Sequence, residues 1–273
     1  MSHVSTADQV KLYVEVHGAG TPVVFVHEFG GSCRSFDAQV EAFRGTHRCV
    51  AFNARGYPPS DVPASVDAYS QDIAASDVGA VLDGLKIERT HLVGVSMGAA
   101  SALQFALKSP ARVLSATLVG IGTGSDGAPE EFRASAEANA RLIETGGMAA
   151  LAENFAQAPN RLRLKKKNPA EYERFLSSLL AMSPLGAANT MRGVQSRRPP
   201  IYVHERRLAA LNVPVLVVVG EEDAGCRKPG DFLARTLPRV RLEVVPRTGH
   251  VVNQEEPGAF NRLCQPFIDG VDT

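Results

Sequence analysis

Apolar and polar side chains alternate through residues 10–16, the two-residue period of a strand with one covered face. A Gly18-Ala19-Gly20-Thr21-Pro22 turn follows. The chain is then continuously apolar at Val23-Val24-Phe25-Val26 and again at Cys49-Val50-Ala51-Phe52. Runs without polar alternation predict strands buried on both faces, as in a parallel sheet covered by helices. In residues 69–85 the period changes. Ile73, Val78, Val81 and Leu85 recur at helical spacing, with Asp83 at the solvent edge of that face. Residues 89–95 predict a strand, 96–108 a helix and 113–119 a further strand. From about 126 to 206 the texture is helical, charged and alanine-rich, with no strong strand. Strand texture returns at 213–219 and 240–245, and a helix over about 257–268 closes the chain. Strands alternating with helices predict an α/β fold with a doubly wound, mostly parallel sheet. The helical stretch reads as an insertion, giving a core of residues 1–125 and 207–273 and an insertion of residues 126–206.

Composition narrows the function. Lys plus Arg and Asp plus Glu balance at 29 each, so no net field points to nucleic acid or an anionic membrane. The longest apolar run, at 213–219, is strand-sized and far short of the roughly 18 residues of a membrane span. The first residues carry neither a basic nor an apolar leader segment, so a cytoplasmic location is expected. Cys33, Cys49, Cys226 and Cys264 form no C-x-x-C pair and no sequence cluster with histidine, so free thiols, no metal and no cofactor are expected.

The strongest chemical signal is Gly94-Val95-Ser96-Met97-Gly98, between the apolar His91-Leu92-Val93 and the helix-like residues 99–104. That order reads strand, tight turn, helix, with Ser96 at the tip. Glycines two before and two after the serine relieve the close backbone approach that such a turn demands. The turn also frees the first helix amide, that of Met97, to face a developing oxyanion.

A serine hydroxyl needs a base, and the base needs an orienting carboxylate. Both types follow Ser96 just beyond predicted strands: Gly220-Glu221-Glu222-Asp223 after 213–219, and Gly249-His250 after 240–245. The ends of parallel strands are where such sheets place their chemistry. His250 is the candidate base and Asp223 the candidate acid, with Glu221 and Glu222 as local rivals. Val26-His27-Glu28-Phe29-Gly30-Gly31 ends an early buried strand on the same sheet edge, which makes the Phe29 amide the candidate second oxyanion donor beside Met97.

Taken together these motifs resemble the α/β-hydrolases that carry a helical cap, over residues 12–268. Arg55-Gly56, Phe36 nine residues after His27, and Glu255, Pro257, Phe260 and Asn261 behind His250 add to the likeness. The resemblance implies an acyl-enzyme on Ser96 and places the acid at Asp223. Asp126 is the outside rival, because some relatives take the acid from after that earlier strand. Two positions depart from the family pattern. His27-Glu28 stands where His-Gly is usual, and Arg55-Gly56-Tyr57-Pro58-Pro59-Ser60 lacks a second glycine.

The nucleophile restricts the reaction. Relatives that open epoxides or displace halide carry aspartate at the elbow, whereas Ser96 with an oxyanion hole suits attack on a carbonyl carbon. The expected activity is hydrolysis of a carboxylic ester or lactone of a small molecule. Carbon–carbon hydrolysis beside a ketone, or small-molecule sensing, is the alternative, and no oligomeric state is implied. His27 is expected to brace its loop, and Glu28 to make a structural hydrogen bond to a backbone amide. Residues 161–167 are expected to form the solvated basic face of an inserted helix. Phe132, Phe155, Tyr172, Phe175, Met182, Met191 and Tyr202 are expected mostly to pack the insertion on the core, about a third of them facing the site.

Overall fold

The computed structural model describes residues 2–126 and 129–272; Met1, Gly127, Ala128 and Thr273 lie outside it, so the predicted insertion is described at Asp126 and from Pro129 onward. Eight strands are β1 (Ser2–Ser5), β2 (Lys11–His17), β3 (Thr21–Val26), β4 (His47–Phe52), β5 (Thr90–Val95), β6 (Val113–Val119), β7 (Val215–Gly220) and β8 (Val240–Val245). They form one sheet in the order β1-β2-β4-β3-β5-β6-β7-β8. The β1–β2 and β2–β4 pairings are antiparallel and all others parallel. The strands β5 and β7 are buried at every position, β7 as its unbroken apolar run requires and β5 with Thr90 and His91 buried as well.

The helices are α1 (Asp37–Phe43), α2 (Gln71–Gly84), α3 (Met97–Lys108), α4 (Pro129–Ala156), α5 (Pro159–Lys167), α6 (Pro169–Leu180), α7 (Pro184–Asn189), α8 (Glu205–Ala209), α9 (Ala224–Thr236), α10 (Val252–Glu255) and α11 (Pro257–Asp272). A π-helical segment, Thr190–Ser196, follows α7. Ser70 caps α2 by accepting from the Ile73 amide at 3.1 Å, which moves its start two residues inside the predicted span. Helix α4 breaks at Gly147, where φ is +68°.

Alternate strand residues feed two cores. On one face Val24, Leu92 and Val217 pack against α2, α3 and α9. On the other, Phe25, Val93 and Leu216 pack against α1 and α11, and that core runs on into the inserted helices through Ala140, Ile143, Leu151, Tyr172 and Phe175. Among the described residues, the chain between β6 and β7 contains no strand.

Candidate active site

Ser96 stands between β5 and α3 with φ +54° and ψ −113°, a conformation few side chains adopt without being held there. The flanking glycines make it possible. A Cβ on Gly98 would lie 1.9 Å from the Val26 carbonyl oxygen, and one on Gly94 would lie 2.5 Å from that of Gly98. The Ser96 amide donates to the Val119 carbonyl at 2.8 Å, tying the turn to β6.

Two further loops converge on the same strand ends. Gly220 permits the meeting: a Cβ there would be 2.0 Å from the Gly249 carbonyl oxygen. The Glu222 amide donates to the Thr248 carbonyl at 2.9 Å, and the Arg247 amide to the Glu221 carboxylate at 2.8 Å. Glu221 is thereby occupied, and Glu222 pairs with Arg163 at 2.6 Å. Asp223 alone of the three acids reaches the imidazole. Its Oδ2 lies 2.7 Å from His250 Nδ1, and His250 Nε2 lies 2.8 Å from Ser96 Oγ. Asp126 instead pairs with Lys228 at 3.1 Å. Gly120, at φ +56°, lies beside the imidazole, and a Cβ there would come within 3.0 Å of His250 Nδ1.

Burial works against charge on both partners, and their mutual attraction outweighs it. His250 is buried, which alone would lower its proton affinity. The Asp223 charge and hydrogen bond, with a smaller contribution from Cys226, instead raise it to about 10. Asp223 is likewise opposed by burial but held below the ordinary carboxylate range by His250. The pair therefore favours a proton on the imidazole and none on the carboxylate. That polarity suits a base that must accept a proton from a hydroxyl.

Cys226 is a neighbour with no local sequence signal. Its Sγ lies 3.9 Å from His250 Nδ1 and 3.2 Å from Thr123 Oγ1. Asp223, Cys226 and His250 offer donor atoms within 4.8 Å of one another, and a metal there would have to displace Asp223 from Nδ1. All four cysteines are buried and free.

Of the two amides expected to face an oxyanion, that of Met97 belongs to the first residue of α3 and so has no intrahelical acceptor. Phe29 lies in the turn after β3, where the Gly31 amide donates to the Glu28 carbonyl at 3.2 Å. His27 Nδ1 donates to the Glu28 carbonyl at 2.7 Å while Nε2 accepts from the Ala54 amide at 3.0 Å. His27 thus joins the ends of β3 and β4, and burial lowers its proton affinity. The partners expected for Glu28 are corrected. Its Oε1 accepts from two side chains, Gln254 Nε2 at 2.7 Å and Ser35 Oγ at 3.1 Å, rather than from a backbone amide.

The basic stretch on α5 also departs from expectation. Arg161 is buried, with its guanidinium 3.7 Å from the centre of the Phe175 ring, and Leu164 is fully enclosed. Arg163 Nε donates to the Arg247 carbonyl at 3.1 Å, and Lys167 Nζ to Thr248 Oγ1 at 3.1 Å. Only Leu162, Lys165 and Lys166 are exposed there, so α5 clamps the loop that carries His250. Of the inserted aromatic and methionine residues, Tyr172, Phe175, Met182 and Met191 join the core. Phe155 meets Phe29 edge-on at 5.9 Å, and Tyr202 packs on Phe232 at 4.8 Å.

A profile described as the alpha/beta hydrolase fold matches residues 21–257. The chain is 26% identical to a 3-oxoadipate enol-lactonase 1 of Acinetobacter baylyi, over 95% of this chain and 94% of that one. It is 28% identical to a 2-hydroxy-6-oxononadienedioate/2-hydroxy-6-oxononatrienedioate hydrolase of Burkholderia vietnamiensis, over 96% and 92%. The structure of a thermophilic esterase from Thermogutta terrifontis superposes with a TM-score of 0.88 and 25% identity, covering 100% of this chain and 99% of that one. With that match over most of its length and a mostly parallel eight-stranded sheet beneath it, the chain belongs to the alpha/beta hydrolase family.

Proposed function

We propose that this chain is a serine hydrolase that cleaves a carboxylic ester or lactone of a small molecule through an acyl-enzyme. One observation carries the reading: Ser96 Oγ, His250 and Asp223 form a continuous chain of contacts at 2.8 and 2.7 Å. His250 takes the hydroxyl proton as Ser96 attacks the carbonyl carbon, then returns it to the leaving oxygen. Asp223 fixes the tautomer that leaves Nε2 free to accept. The amides of Met97 and Phe29 receive the oxyanion. Water, deprotonated by the same imidazole, then releases the acid. The inserted helices act as a cap over this edge of the sheet. No metal takes part.

A lactonase and an esterase among the similar proteins support the ester reading, and the Burkholderia hydrolase favours a second one, carbon–carbon cleavage beside a ketone. Both readings place a carbonyl carbon before Ser96. The deciding experiment is turnover of aryl esters, lactones and vinylogous 1,5-diketones, with intact-protein mass spectrometry. Ester or lactone turnover with an acyl adduct on Ser96 is expected. Preferential turnover of the diketones would move the assignment to carbon–carbon cleavage. Turnover of esters with no adduct trappable at Ser96 would end the acyl-enzyme scheme.

A further inference from the structure

The chain passes from the sheet into the inserted helices after β6 and returns before α8. Between these two crossings and the flank of α3 lies a cavity of about 370 Å³, within the range of small-molecule sites. Neither Ser96 nor His250 lines it. Its floor is apolar, from Leu103 on α3, Ile121 and Ile201, and its rim carries Arg197, Arg198 and Arg207. The one acidic residue in the lining, Asp72, is already engaged by Lys108 at 2.8 Å and by Gln104 at 2.7 Å.

Arg198 is the informative member. A guanidinium has five N–H donors, and Arg198 commits one, to the Thr123 carbonyl at 2.9 Å. No carboxylate pairs with it among the described residues, and its other neighbour is the face of Phe132 at 5.5 Å. Burial pushes its proton affinity down to about 10, with only Cys226 acting weakly the other way. Arg197 pairs with Asp67 at 3.3 Å, but both are well exposed and such a pair is weak. A half-buried cation with no carboxylate partner, at the rim of an apolar floor, is stabilised by an anion that neutralises it. A planar fork of free N–H groups is matched by a carboxylate. An inorganic anion would meet the arginines but leave Leu103, Ile121 and Ile201 uncovered, whereas an organic carboxylate meets both.

We propose that this cavity is a second binding site, for a small organic carboxylate with an apolar body. The carboxylate bridges Arg198 and its rim partners while the body covers Leu103, Ile121 and Ile201. The ligand is either the acid released at Ser96 or an unrelated carboxylic acid. Only the first source rests on the hydrolase reading.

Octanoate is the probe, titrated calorimetrically into the full chain carrying Ser96→Ala, with octanamide as its neutral counterpart. One octanoate per chain is expected, with octanamide about tenfold weaker. Arg198→Gln should weaken octanoate about tenfold, and Arg198→Lys, which keeps the charge, should recover part of the loss. If Arg198→Gln does not fold, the exposed rim variant Arg207→Gln carries the test, with about a threefold loss. Methyl shifts on binding should fall on Leu103, Ile121 and Ile201. Equal affinity for octanoate and octanamide, or shifts confined to the surroundings of Ser96, would overturn the site. In a second arm, acids whose esters are turned over are compared with acids whose esters are not. Tighter binding of the former identifies product as the ligand, and equal binding identifies an unrelated acid.

Discussion

At the scale of single residues, the electrostatics of the His250–Asp223 pair makes the sharpest predictions. Ser96→Ala removes the hydroxyl and should lower turnover by roughly 10⁴–10⁶-fold while leaving the melting temperature near that of wild type. Asp223→Asn should cost about 10⁴-fold, and its pH dependence carries a sign. In wild type, Asp223 raises the proton affinity of His250 against the opposing effect of burial. The base must be neutral to act, so the acid limb of kcat/KM should lie above the ordinary imidazole value near 6.5. With the charge removed, burial is opposed only by the smaller effect of Cys226, and the titration of His250 should fall well below its wild-type position. Following the His250 ring proton by NMR in both proteins checks this. An upward move in Asp223→Asn would mean that something other than Asp223 governs the imidazole. Asp126→Asn, aimed at a carboxylate paired with Lys228, should leave the His250 titration where it was.

At the scale of elements, strands were the legible part of the sequence and side-chain faces the illegible part. The continuous apolar runs in β3, β4 and β7 announce strands covered on both sides, and the G-x-S-x-G string announces the turn between β5 and α3. The edge strand β1 has no legible period, because only Val4 of its four residues is buried. Cys226 and Gly120 were unreadable for another reason. Their role is a tertiary approach to His250, and no residue near them in sequence records it. On α5, five basic residues within seven suggest a solvated face, whereas the side chain of Arg161 turns inward over Phe175. That inward turn has a testable cost. Glu28 Oε2, Glu255 Oε1 and Arg161 Nη1 are all buried without a hydrogen-bond partner, and the two carboxylates attract the Arg161 charge, beside the Lys167 and Arg163 charges that also act on Glu255. Burial already raises the proton affinity of Glu255 above its ordinary carboxyl value. Arg161→Met keeps the packing on Phe175 and removes the charge, so that affinity should rise further. A carboxyl with a raised folded value is destabilising once pH exceeds its unfolded value near 4.3. The stability gap between wild type and Arg161→Met should therefore be small near pH 4.5 and widen to about 1–3 kcal/mol by pH 8. Urea unfolding at the two pH values measures it, and a gap independent of pH would show that the arginine acts through packing alone.

At the scale of the whole molecule, the question is whether the inserted helices are a separate folding unit. One core joins Phe25, Val93 and Leu216 of the sheet to Ile143, Leu151, Tyr172 and Phe175 of the insertion without a break. Phe175 is the keystone of that junction. A Cβ on Gly30, beside Phe29, would lie 2.9 Å from its ring, and the Arg161 guanidinium lies 3.7 Å from the ring centre. Phe175 is 4% exposed, so Phe175→Ala should cost about 3–5 kcal/mol, the usual range for emptying a buried aromatic site. In a chain of this size that corresponds to a fall in Tm on the order of 10 °C. If insertion and sheet fold together, calorimetry should show the entire transition moving down as one peak. The near-ultraviolet signal of the core and the far-ultraviolet signal of the helices should then be lost at the same temperature. Two peaks, with the upper one unmoved from wild type, would mean that the inserted helices fold on their own and that the shared core adds little to their stability.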